Sequence, residues 1–153
     1  MKILLGDPRH NTVGAHSYFT PIGIGYIGSY ILEQFKKDNI ELKLCTNPKE
    51  IFDLLKNWKP DIVGISNYIW NSYLANLICK QAKKIKSNTL CILGGPEFPA
   101  GTGQRKIENA SLDNTYDKCL KYLIDRPSVD YFVWTDGEPT FVEIIKKFKE
   151  HKF

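Results

Sequence analysis

Residues 61–66 read Asp61-Ile62-Val63-Gly64-Ile65-Ser66, an apolar run between Pro60-Asp61 and Ser66-Asn67. A central strand of a parallel sheet needs such a run, because helices cover both of its faces. Outward from it, short apolar stretches alternate with amphipathic ones. Lys2–Leu5 reads as a first strand ending at Gly6-Asp7, and Ile40–Cys45 as a second. Thr89–Leu93 reads as a fourth strand closed by Gly94-Gly95-Pro96, and Asp130–Trp134 as a fifth. Between the first two strands, Pro21 suits the first turn of a helix running to about Asp38, with Ile24, Ile27, Ile31 and Phe35 at helical spacing. Asn47 caps a second helix that carries Pro48 and Glu50 in its first turn. Asn71–Ile85, Asp113–Leu123 and Glu138 to about Lys149 complete the helices.

Strands alternating with helices predict an α/β fold: a flavodoxin-like, doubly wound, five-stranded parallel sheet in order 2-1-3-4-5, layered α/β/α in the Rossmann-like manner. The chain has 153 residues, 42% apolar and 25% charged, which suits one domain over residues 1–153. No apolar run approaches the roughly 18 residues of a membrane span and no signal peptide opens the chain, so a cytoplasmic protein with no membrane partner is expected. The net charge of +4 rests on Lys, with only three Arg. Nucleic-acid readers depend on Arg forks, so no nucleic-acid partner is expected. Cys45, Cys79, Cys91 and Cys119 form no CxxC or CxxxCxxC, so no metal site and no iron–sulfur cluster are expected on this chain.

In such a sheet a ligand lies beyond the carboxyl ends of the strands. The loops there are Asp7 to His16, Ser66 to Asn71, Gly94 to Phe98 and Thr135 to Pro139. Their Gly, Ser, Asn and aromatic residues point to a large, flat, partly polar ligand. Gly23-Ile24-Gly25-Tyr26-Ile27-Gly28 matches GxGxxG formally, but it begins 17 residues after Gly6 and inside a helix, away from the strand–helix turn a dinucleotide site needs. Those glycines let the helix approach the sheet, or a bulky ligand approach the helix. Ser66 is not framed as GxSxG, and no catalytic residues are assigned.

The stretches GDPRHNTVGAHSYFTPIGIGYIGSYI, KPDIVGISNYIWN, LGGPEFP and VDYFVWTDGEPTFVEII together resemble the N-terminal cobalamin (vitamin B12)-binding domain of radical S-adenosylmethionine proteins. The resemblance covers about residues 1–150. The classical cobalamin domain carries DxHxxG after strand one, SxL after strand three and GG after strand four. Gly94-Gly95 matches the last and Ser66 the serine of the second. Asp7, His10 and Gly14 miss the first spacing, as in the radical branch, which holds cobalamin without a histidine on cobalt.

The resemblance implies cobalamin as cofactor, held by His10, Thr12, Val13, Gly14, Ser66, Asn67, Tyr68, Trp70, Gly94, Gly95, Pro96, Gly137 and Glu138. Ser66 and Asn67 would hydrogen-bond the nucleotide tail, Thr12 to Gly14 would floor the corrin, and Tyr68 and Trp70 would wall it. Gly94 and Gly95 would admit the tail, so Gly95→Val is expected to weaken binding and leave the fold intact. The 4Fe-4S cluster and S-adenosylmethionine are expected only in a radical module absent from this chain, a partner in cis or in trans. The chain would then be a fragment, a truncated product or a separate subunit, serving methyl transfer or a related radical reaction. The alternative is a degenerate flavodoxin-like docking or signalling domain without cofactor. A receiver is disfavoured, because strand three ends in Ser66 where a phosphorylatable Asp is required.

Overall fold

The structure, a computed structural model, describes residues 1–9, 20–98, 112–133 and 136–151. Ten elements alternate: β1 (Lys2–Gly6), α1 (Ile22–Gln34), β2 (Glu41–Cys45), α2 (Pro48–Asn57), β3 (Ile62–Ser66), α3 (Ser72–Ile85), β4 (Leu90–Gly94), α4 (Leu112–Ile124), β5 (Tyr131–Val133) and α5 (Gly137–His151). All strand pairs are parallel and the sheet order is β2-β1-β3-β4-β5, as expected from the sequence. The direction of winding reverses between β1 and β3, which is where such folds open a crevice.

Period-two alternation sends the central strands into two separate cores. Ile3, Leu5, Ile62, Leu90 and Ile92 meet Ile24 and Ile31 of α1 and Phe141, Val142 and Ile145 of α5. Leu4, Val63, Ile65, Cys91 and Leu93 meet Ile51 and Leu55 of α2 and Ala75, Ile78 and Ala82 of α3. Each fully buried Ile or Leu contributes about 2 kcal/mol. The continuous apolar run at 62–65 is explained by this two-sided burial.

Helix ends follow local chemistry. The Asn47 side chain accepts hydrogen bonds from the Lys49 and Glu50 amides at 2.9 and 3.5 Å, with Pro48 behind it in the first turn. Pro21 precedes α1 at its N-cap position rather than sitting inside the first turn, and α1 stops at Gln34, short of Asp38, with the Phe35 amide donating to the Ile31 carbonyl.

Cys45, Cys79 and Cys91 are buried free thiols and Cys119 is half-buried. Burial lifts the Cys45 thiol to about 11, and for Cys79 the hydrogen bond with Cys91 together with burial raises it well above its ordinary value. Cys45 and Cys79 therefore stay protonated and act as small apolar side chains.

At the amino end of the sheet, Asp61 accepts from the Lys2 amide at 2.7 Å and from the Lys86 ammonium, tying β1, β3 and α3 together. Partial burial pulls its carboxyl upward. The Lys86 hydrogen bond, the Lys2 amide, the Lys86 charge and the amino-terminal charge outweigh that, and its pKa falls below the ordinary value. A lowered folded pKa gives stability that is complete above about pH 4 and is lost as pH falls through the folded value. Asp61→Asn is expected to flatten the acid limb of stability below about pH 4, measured by urea unfolding across pH. An unchanged limb would assign acid unfolding to other carboxylates.

Candidate cofactor-binding site at the carboxyl ends of the strands

Beyond the carboxyl ends of β1, β3, β4 and β5, α1 and the start of α5 stand apart over the sheet and leave a slot of about 150 Å³. Its walls are Ile24 and Ile27 of α1 and Phe141 of α5, and its floor is Leu5, Ile92 and Val133. Cavities of this size accept a small aromatic ring. A second, wider cavity of about 290 Å³ lies against it, bordered by Asp7, Arg9, Pro21 and Trp70. Gly23, Ser66 and Tyr68 line both.

Three glycines shape the slot for different reasons. A Cβ on Gly64 would lie 2.7 Å from the Phe141 ring and 2.8 Å from Leu5, so Gly64 makes the room in which Phe141 crosses the sheet. A Cβ on Gly23 would meet nothing within 4 Å, so this face of α1 opens onto free space. Gly95 has φ +130° and a Cβ there would lie 2.6 Å from the Asn67 carbonyl oxygen. That is backbone against backbone in a region essentially reserved for glycine. The expectation that Gly95→Val leaves the fold intact is therefore corrected: the position is structural before it is anything else. Of the GxGxxG glycines, only Gly28 supports close packing on the sheet, with Leu42 and Leu44 at 3.1 and 3.2 Å from a built Cβ.

The turn after β4 is clamped from β3. The Asn67 amide donates to the Gly94 carbonyl at 2.6 Å, and the Glu97 amide donates to the Asn67 carbonyl at 3.2 Å. Asn67 Nδ2 donates to the Glu97 carbonyl at 2.8 Å and to Tyr122 Oη at 2.9 Å. Asn67 is completely buried; its Nδ2 fastens the turn, while its Oδ1 has no hydrogen-bond partner among the described residues. Phe98 stacks on Phe132 at 4.1 Å and meets the Tyr122 ring edge-on at 5.1 Å, fastening the same turn to α4 and β5. Burial raises the Tyr122 phenol, against the opposing charge of Arg126 over its ring, so it stays neutral as a hydrogen-bonding group.

At the outer cavity, Tyr68 and Trp70 stack in parallel with ring centroids 4.5 Å apart, and Trp70 is 61% exposed. Asn71, buried at the start of α3, accepts from the Tyr68 amide at 2.8 Å and donates to the Pro8 carbonyl at 3.1 Å. It holds the β3–α3 loop against the β1 loop. Arg9 is ion-paired with Asp7 at 2.9 Å.

The structure thus gathers Ser66, Tyr68, Gly94, Gly95 and Gly137 around one slot and puts Trp70 beside its outer extension. Pro96 lies in the clamped turn, where its carbonyl accepts from the Phe98 amide. Glu138 occupies the first turn of α5, half-buried and outside the slot lining. His10, Thr12, Val13 and Gly14 lie outside the described residues. Sequence reasoning missed Ile27 and Phe141 as walls and Asn71 as the loop's fastener, whereas Gly23 belongs to the glycines expected to let a ligand approach the helix. An Asn at a helix start was the available signal for Asn71.

The family model for the B12 binding domain matches residues 11–108. The chain belongs to the B12-binding domain family. This B12-binding domain is 28% identical over 149 residues to a protein of Pyrococcus horikoshii named as an uncharacterized methyltransferase. That match covers 95% of this chain but 29% of the relative's length. Among solved structures, a cobalamin-binding protein from Desulfitobacterium hafniense superposes with a TM-score of 0.58 at 17% identity, over 96% of this chain and 58% of that one. A CheY-like response regulator receiver domain from Methanospirillum hungatei gives a TM-score of 0.58 at 14% identity, covering 99% and 95%. At these identities the two structures report the shared flavodoxin-like fold. Among the described residues of the B12-binding domain, no helix is long and apolar enough to cross a membrane, and no His, Cys, Asp and Glu cluster could hold a metal ion.

Proposed function

We propose that this chain is the cobalamin-binding module of a radical S-adenosylmethionine enzyme of methyltransferase type. The observation that carries the reading is the apolar slot beside the crossover between β1 and β3, bounded by glycines and edged by Ser66. Family membership and the methyltransferase relative support it. The residues fit the cofactor: the slot has the breadth of an aromatic base, free space lies over Gly23, and the hydroxyl-bearing Ser66 and Tyr68 stand at its edge.

Ile24, Ile27, Val133 and Phe141 would bury the base of the nucleotide tail and exclude water from it. Ser66 would hydrogen-bond the tail, and Gly94 would let backbone approach it. Tyr68 and Trp70, stacked and held by Asn71, would give the corrin an apolar wall with polar edges. Bound cobalamin supplies alkyl-transfer chemistry at cobalt, and the protein supplies placement and solvent exclusion. The 4Fe-4S cluster and S-adenosylmethionine belong, in this reading, to a radical module in cis or in trans, and that module and the substrate give the whole protein its reaction.

Titration with hydroxocobalamin, followed by the visible spectrum, tests the reading. Saturable binding with the tail base off cobalt is expected, and the cob(II)alamin form should show no histidine nitrogen in its paramagnetic spectrum. A nitrogen signal that disappears in His10→Ala would overturn the histidine-free part. Absence of any spectral change at high concentration would overturn the cofactor reading and leave a docking domain of the same fold.

A further inference from the structure

The chemistry of the slot lining bears on which corrinoids it accepts. Among the described residues its walls and floor are hydrocarbon, chiefly Leu5, Ile24, Ile27, Ile92, Val133 and Phe141. Among the described residues the only polar side chains in that lining, Ser66 and Tyr68, also border the outer cavity. Part of the backbone beneath is engaged in the sheet, and Gly23, Gly95 and Gly137 border the slot from the helix starts and the turn after β4. Ser66 lies opposite Gly94 and Gly94 opposite Val133 in the parallel ladders, and the Asn67 amide donates to the Gly94 carbonyl. Among the described residues, the side chains that a ring entering the slot meets are methyl groups and an aromatic edge, with side-chain hydrogen bonding confined to Ser66 and Tyr68.

We infer that the slot selects corrinoids by the base of their nucleotide tail, accepting dimethylbenzimidazole and disfavouring adenine. The inference rests on the cobalamin reading above. The two bases are of comparable size, but adenine carries an exocyclic amino group and extra ring nitrogens. Buried against hydrocarbon, those groups lose their water without gaining partners. Dimethylbenzimidazole presents two methyl groups in the same region, and these gain from burial. Apolar pockets discriminate against an added polar group by roughly 10- to 100-fold, and that is the expected difference in affinity.

The experiment compares three probes on the wild-type chain by spectral titration: hydroxocobalamin, its adenine-tailed counterpart, and cobinamide, which has no nucleotide tail. Cobalamin should bind tightest, with the adenine form roughly 10- to 100-fold weaker. Val133→Thr places a hydroxyl in the floor at nearly constant volume and should narrow that ratio, mainly by strengthening adenine binding. Its thermal unfolding is read alongside, and the wild-type ratio decides the matter if the variant does not fold. Cobalamin and adenine-form affinities within twofold of each other would overturn the selectivity and leave the cofactor reading standing. Cobinamide binding as tight as cobalamin would remove the tail from the slot and overturn it as well. If none of the three binds, the cofactor reading itself fails and this inference falls with it.

Discussion

Gly95→Val is expected to lower the folding stability of the domain by about 3 kcal/mol or more, a large share of the 5–15 kcal/mol typical of a domain. Two effects combine. At φ +130° a β-branched residue is strained whatever the space around it. Its Cβ would also sit 2.6 Å from the Asn67 carbonyl oxygen. That oxygen cannot retreat cheaply, because it accepts from the Glu97 amide, and the Asn67 amide is fixed on the Gly94 carbonyl. Gly95→Ala should share most of the loss, since Cβ alone makes the collision. Urea unfolding should show a lower midpoint with an unchanged slope. A wild-type midpoint for either variant would mean that the turn after β4 is not built as described.

Gly23→Phe should have the opposite profile, with stability maintained and cobalamin affinity reduced roughly 30- to 100-fold. Gly23 sits in the first turn of α1, and a Cβ there meets nothing within 4 Å. Glycine is among the poorest helix formers, so replacing it costs the helix nothing. The new ring would reach the space shared by the slot and the outer cavity and compete with the ligand for it. The measurement is a pair: thermal unfolding without cofactor, and hydroxocobalamin titration. Wild-type affinity in a folded Gly23→Phe protein would place the ligand elsewhere on the sheet edge.

The sheet was legible in the sequence because its determinants are local. The unbroken run at 62–65 and the spacing of Ile24, Ile27 and Ile31 each record how many faces of an element are covered, their alternation gives a parallel sheet, and the order 2-1-3-4-5 is the common one for five such strands. The site was legible only at the level of loops. Asn67 and Ser66 are adjacent and equally polar, yet one is sealed beneath a turn and the other borders the slot. That difference arises from hydrogen bonds to Glu97 and Tyr122, distant in sequence. Gly94 and Gly95 look alike as letters. Gly94 pairs in the ladder beside Val133, whereas Gly95 takes a positive φ that tertiary contacts impose. Gly23 and Gly28 share one motif but sit on α1 facing open space and packed leucines, a matter of helix rotation. Phe141 reads as an ordinary core residue of α5, and its passage across Gly64 exists only once the sheet and helix are assembled.

Among the described residues, the helices that line the slot belong to one side of the sheet. The sheet lies between the α1/α5 layer, which lines the slot, and the α2/α3 layer, which does not. Changes distant from one another and without shared neighbours combine almost independently. Sequence drift at Ile27 or Phe141, which line the slot, therefore leaves Ile51, Ile78 and their neighbours to go on holding the strands in register. The architecture separates what must be preserved from what is free to diversify, and a lineage of such domains could explore new ligands through one layer while inheriting the other intact.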